Sequence, residues 1–146
     1  MIRIDKCKYF NLKKSWKTLS SSSKLNGMPE PSSRLLLFYA VECGLKHLLL
    51  RQEPVQCPDN KNNLLYTHKL PDIVKKLRMT ATDGKLPPCP KKLFLQENGY
   101  THTQTDSWDV HLAWRYGLEV EKKNESEILQ WLDHINHIIG NRINRQ

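Results

Sequence analysis

RLLLFYAVECGLKHLLLR, residues 34–51, decides how this chain is read. It is among the most apolar runs in the sequence, yet Glu42 and Lys46 stand in its middle. Leucines and aromatics fall on nearly every side at helical spacing, as expected for a helix surrounded by others in a bundle. The predicted helix runs from about residue 33 to 52, with Ser32 or Ser33 as its cap. The acid precedes the base by four residues, the orientation that favours an ion pair on one helix face, worth roughly 0.2–0.5 kcal/mol when exposed. Buried, such a pair is no net gain, because desolvation can exceed the Coulomb attraction, and it then serves register or a site. A solvated stripe on an otherwise buried helix is the plainer alternative.

The rest of the chain supplies neighbours for that helix. Tyr9, Leu12, Trp16 and Leu19 recur at helical spacing and predict a helix over residues 5–23, with Asp5 near its start and lysines on the other face. Gly27, Pro29 and Pro31 then interrupt the pattern, and residues 53–63 read as a loop from their Pro, Asp and Asn. Leu70, Ile73, Val74 and Leu77 resume the helical period, with Pro71 acceptable in the first turn and Asp72 and the Lys75, Lys76, Arg78 cluster suiting the two ends of the helix dipole. Residues 80–104 form a long connection in which KKLFLQ makes a short helix or strand. TDSWDVHLAWRYGL predicts about three helical turns, capped by Thr105 or Asp106 and stopped by Gly117. The last helix begins with a capping box, Asn124 and Glu127, and places Ile128, Trp131, Leu132, Ile135, Ile138 and Ile139 on one stripe. The expectation is an all-α bundle of four to five helices in one domain, residues 1–146, with its core over about 33–143 and residues 1–25 as an N-terminal basic helix.

Composition bounds the function. The 146 residues are 38% hydrophobic and 26% charged, ordinary for a globular chain. Lys and Arg outnumber Asp and Glu by 23 to 15, a formal charge of +8, so polyanions and acidic protein surfaces are both reasonable partners; solubility alone would also account for it. Candidate phosphate contacts are Lys6, Lys8, Lys13, Lys14 and Lys17, with Lys91 and Lys92. Tyr9 and Trp16 either stack on bases or face the core. No stretch reaches the roughly 18 apolar residues of a membrane span, and the N-terminus lacks the apolar region of a signal peptide. Four cysteines without a CxxC pair then read as reduced thiols in the cytoplasm. A zinc site from Cys57 and Cys89 with two histidines would lack the usual paired ligands, so neither metal nor cofactor is expected. Phosphate-loop, dinucleotide-binding, nucleophile-elbow and zinc-protease motifs are all missing from the sequence.

Three residues offer chemistry. His111 and Arg115 are four apart, with Asp109 close by, and put a proton carrier beside a phosphate-binding group on one helix face. His68 would join them across the bundle as a metal-independent nuclease site. The alternative is that His68 caps or packs at a helix start while Arg115 pairs with Glu42 in a structural network. His134 and His137 are too few for a metal, and His102 reads as a lone loop residue.

YAVECGLKHLLL, THKLPDIVKKL and WDVHLAWRYG, in that order before a final amphipathic helix, resemble the HEPN superfamily, the higher eukaryotes and prokaryotes nucleotide-binding domains. The matching positions are Ala40, Glu42, Leu45, Lys46, Leu48 and Leu49, then His68 and Leu70, then Arg115 and Tyr116, and the likeness spans about residues 33–143. It implies an all-α bundle, frequent dimers, and roles in prokaryotic toxin pairs, antiviral defence and RNA cleavage. It also implies a polar network of Glu42, Lys46, His68, Arg115 and Tyr116. HEPN ribonucleases carry R-x(4-6)-H, and no arginine here has a histidine five to seven residues after it. The departure favours an accessory, noncatalytic subunit that binds a protein partner, nucleic acid or both, with an atypical ribonuclease as the alternative.

Overall fold

A computed structural model of the chain describes residues 9–52, 64–79, 86–104 and 106–145. The apolar run lies in α2 (Glu30–Gln52), where every residue from Phe38 to Leu49 is buried except the half-buried Tyr39 and Cys43. Such burial needs cover on all sides. It comes from α1 (Tyr9–Ser23), α3 (Leu70–Lys76), α4 (Val110–Tyr116) and α5 (Lys122–Asn144), each of which packs on α2. Phe38, Val41, Leu45 and Leu48 share one core with Leu70, Ile73, Ala113, Trp114, Trp131, Leu132 and Ile135. At roughly 1.5–3 kcal/mol for each large side chain taken out of water, this core is the main force holding the helices together. Among the described residues no helix is long and apolar enough to cross a membrane.

α1 seats against α2 and α5 where α2 has no side chain. A Cβ on Gly44 would stand 2.7 Å from Ile139 Cγ2 and 2.9 Å from Trp16 Cδ1, closer than real Cβ atoms come. The Trp16 ring therefore packs on the core, and its Nε1–H donates to Asn136 Oδ1 at 2.7 Å while Asn136 Nδ2 donates to Ser20 Oγ at 3.0 Å.

The described residues are mostly helical, as expected, with one addition. KKLFLQ contributes β1 (Leu93–Glu97), which pairs antiparallel with β2 (Tyr100–Gln104) on one side and with the two-residue β3 (Glu119–Val120) on the other. Asn98 and Gly99, with φ of 52° and 82°, make the two-residue turn between β1 and β2, a conformation glycine adopts freely and asparagine tolerates.

Two expected caps are not formed, and a third is not made by the described candidates. α2 begins at Glu30, with Pro31 in its first turn, and Ser33 Oγ donates instead to Ser23 O at the end of α1. α5 begins at Lys122, so Asn124 lies in its first turn and its side chain binds the sheet: Oδ1 accepts from Phe94 N and Nδ2 donates to Lys92 O. α4 begins at Val110, after a 3-10 turn at Ser107–Asp109, with no capping bond from Asp106 or Asp109; Thr105 lies outside the described residues. Gly117 does end α4, with φ of 74°. Pro71 lies in the first turn of α3. Asp5, Lys6, Lys8, Cys57 and the 53–63 loop also fall outside the described residues.

Candidate functional site

α2 turns Glu42 and Lys46 toward the start of α3 and toward α4. Both are buried, and Lys46 Nζ donates to Glu42 Oε1 at 3.1 Å. The same oxygen lies 2.5 Å from His68 Nδ1. The oxygen that accepts from Lys46 also accepts from His68 Nδ1–H, on a side chain that is 57% exposed. This is the arrangement in which a carboxylate orients a histidine.

His111 stands beside it, with ring centroids 5.3 Å apart. His111 is buried, stacked on Phe38 at 4.6 Å, and its Nδ1–H donates to Trp108 O at 2.6 Å. A carbonyl cannot donate, so this bond also fixes Nδ1 as a nitrogen that carries a hydrogen. Two histidines thus sit side by side, each with Nδ1 tied to the protein.

Cations rim the pair. Lys69 Nζ lies 5.8 Å from the Trp108 ring and Arg115 Cζ 5.7 Å from the Tyr39 ring. Tyr39 in turn meets the edge of His111 at 6.4 Å, and its hydroxyl is buried with no hydrogen-bond partner among the described residues. Arg115 is therefore held by Tyr39, one helical turn before Glu42, and does not form the expected pair with Glu42. Tyr116 is 70% exposed, and no hydrogen bond or ring contact ties it to the network among the described residues. Of the five residues expected in that network the structure joins Glu42, Lys46 and His68 directly. His111, expected only as a catalytic candidate, belongs to the cluster as well.

The other candidates fall elsewhere. Lys14 and Lys17 are exposed on α1 and Lys13 is half-buried, while Lys91 and Lys92 are exposed just before β1. Trp16 is engaged with Asn136 and is not placed to stack on bases. His102 is on β2 and not in a loop, 3.8 Å from Glu97 Oε2. His134 and His137 line a polar groove between α1 and α5. Among the described residues no three His, Cys, Asp or Glu side chains converge on a metal position.

A cleft of about 740 Å³ opens on the other side of α4. Leu37, Trp114 and Leu129 line it, with Glu30, Glu119, Glu125 and Asp133 against Arg34 and Lys122. Arg34 is engaged twice, at 2.6 Å to Glu125 and 3.1 Å to Glu30, which leaves the cleft acidic in a basic protein. Sequence reading missed it because its residues come from α2, α4, β3 and α5. One signal was present: Leu112 and Tyr116 on α4 and Leu118 just past Gly117 are apolar yet exposed at 38%, 70% and 52%, and Leu118 lines the cleft. Compared with known proteins, the chain matches no family model, no curated protein and no solved structure.

Proposed function

We propose that this chain is a noncatalytic, HEPN-like accessory subunit of a prokaryotic defence or toxin system, working in the cytoplasm by docking a protein partner. The observation that carries the reading is the grouping of Leu112, Tyr116 and Leu118, three exposed apolar side chains within seven residues, beside an acidic cleft to which Leu118 contributes. Exposed apolar side chains gathered in one place mark interaction surfaces, whereas scattered ones do not. The partner surface that complements it is apolar with lysine or arginine at its margin. The test is co-purification of the tagged chain from its source cells, wild type beside Tyr116→Ala/Leu118→Asp. A stoichiometric protein lost in the double variant supports docking, and the same set of proteins with both chains defeats it. Sedimentation of the pure protein separates this from a homodimer, which the family resemblance also suggests.

A second reading has its own observation. Glu42 orients His68, and the His68 and His111 rings lie 5.3 Å apart, a pair that could serve as general base and general acid in metal-independent RNA cleavage, with Arg115 held over Tyr39 and Lys69 over Trp108 beside them. Labelled RNA cut in the presence of a chelator, and left intact by His68→Ala, His111→Ala and Arg115→Ala, would establish the enzyme. Uncut RNA would leave the cluster a structural network.

A further inference from the structure

β2 (Tyr100–Gln104) lies at the edge of the sheet. In the order β2-β1-β3 one side of it pairs with β1, and among the described residues no strand pairs with the other. Tyr100, Thr101, His102 and Thr103 are all exposed. Open edges are ordinarily blunted by lysine, proline or a bulge, because their free N–H and C=O groups are a template for another strand. None of these devices is present here. Residues 93–104 contain no Lys, Arg or Pro, and the β1–β2 register runs through its pairs without a bulge.

Which backbone groups point outward follows from β1. Phe94 is opposite Thr103 in the register, yet Phe94 N–H donates to Asn124 Oδ1 and Phe94 O accepts from Glu121 N. Neither group reaches Thr103, so these two residues form a non-hydrogen-bonded pair, and the two kinds of pair alternate along an antiparallel ladder. Tyr100 and His102 therefore bond inward to Glu97 and Leu95, while Thr101 and Thr103 turn N–H and C=O to the open side.

That open side is complementary to itself. Thr101-His102-Thr103 reads the same from either end. Two antiparallel copies related by a two-fold axis at His102 set Thr101 of one against Thr103 of the other, twice over. The outward groups then make four N–H···O=C bonds, and each Thr–Thr pair is a favourable cross-strand neighbour. Charge favours the same place. Copies of a chain with a formal charge of +8 repel each other, but the only formal charge in residues 93–104 is Glu97, 3.8 Å from His102.

We propose that this edge binds a second copy of the chain, β2 against β2, joining two three-stranded sheets into one. The contact is isologous and closes at two copies. So short a strand buries little area, which makes the dimer weak and dependent on concentration. It uses neither the docking face nor the His68 cluster and stands independently of both readings.

Sedimentation of the full-length protein from micromolar to millimolar concentration tests it, and wild type should pass from monomer to dimer. Thr101→Pro removes an outward N–H and spares the ladder to β1, the one setting in which a strand tolerates proline. By symmetry two of the four bonds are lost, so the dissociation constant should rise about tenfold or more. Thr101→Lys/Thr103→Lys and Thr101→Glu/Thr103→Glu should each be monomeric alone and should pair when mixed, because the register sets every lysine against a glutamate. Tyr116→Ala/Leu118→Asp should dimerise as wild type. The inference is overturned if wild type stays monomeric over the whole range, or if the proline and lysine variants dimerise normally. It is overturned equally if the two charged variants ignore each other, or if Tyr116→Ala/Leu118→Asp abolishes the dimer.

Discussion

Glu42 and Lys46 lie 3.1 Å apart with side chains 9% and 10% exposed, so each has lost most of its water and depends on the other. His68 shares the same carboxylate oxygen. Removing one member of such a pair leaves an uncompensated charge, which costs about 3–5 kcal/mol, whereas replacing both by apolar groups of similar size is often neutral. Glu42→Leu and Lys46→Met are each expected to lower the urea midpoint by that order, and the double variant to lose much less than their sum. Singles within about 0.5 kcal/mol of wild type would mean that water reaches the pair. Cys89 gives a pH prediction. Burial pushes its thiol up, opposed by the hydrogen bond with Ser107. The folded chain therefore keeps this proton at a pH where the unfolded chain releases it. The contribution is fully present below the unfolded thiol's ordinary value and is lost as pH rises from there through the raised value of the folded thiol. Cys89→Ala should flatten the decline of stability as pH rises above the unfolded thiol's value, and an unchanged decline would contradict it.

The helices show how much of the fold was legible. α2, α3 and α5 announce themselves by apolar spacing, because the faces they bury are local properties of the chain. The caps did not. Ser33 and Asn124 bind backbone groups of α1 and the sheet, and no local pattern reveals such distant claims. The β1–β2 hairpin did leave a signal, the Asn98-Gly99 pair, which ranks among the strongest for a two-residue turn; prolines at 87, 88 and 90 made the segment read as a connection. The order of the helical motifs put Glu42 and His68 in one expected network without saying that they touch. The Arg115–Tyr39 contact was not, because it depends on which turn of α2 the short α4 crosses. Gly44 tests the seating of α1. Alanine there would overpack Ile139 and Trp16 by about 2–3 kcal/mol, offset by about 1 kcal/mol of better helix propensity. Gly44→Ala should therefore be net destabilising in urea denaturation, with an altered Trp emission spectrum. An alanine variant more stable than wild type would show that α1 does not pack as closely as described.

At the scale of the whole molecule the question is how a small sheet stays attached to a bundle. Its third strand has two residues, and three strands of this length are marginal in water without an apolar face to bury. Leu93 and Val120 supply that face and enter the common core. Asn124 supplies the polar joint, 3% exposed, with its amide satisfying the N–H of Phe94 at 2.9 Å and the carbonyl of Lys92 at 3.0 Å. Asn124→Ala strands both backbone groups, and an unsatisfied buried group costs about 1–3 kcal/mol. The loss should appear first in the sheet. Amide hydrogen exchange over residues 93–97 and 100–104 is expected to quicken in the variant while the amides of α2 keep their protection. Asn124→Asp, which still accepts from Phe94 but cannot donate to Lys92, should fall between the two. If the sheet keeps its protection in Asn124→Ala, the apolar contacts of Leu93 and Val120 hold it alone, and the sheet is an extension of the core rather than a unit pinned to it.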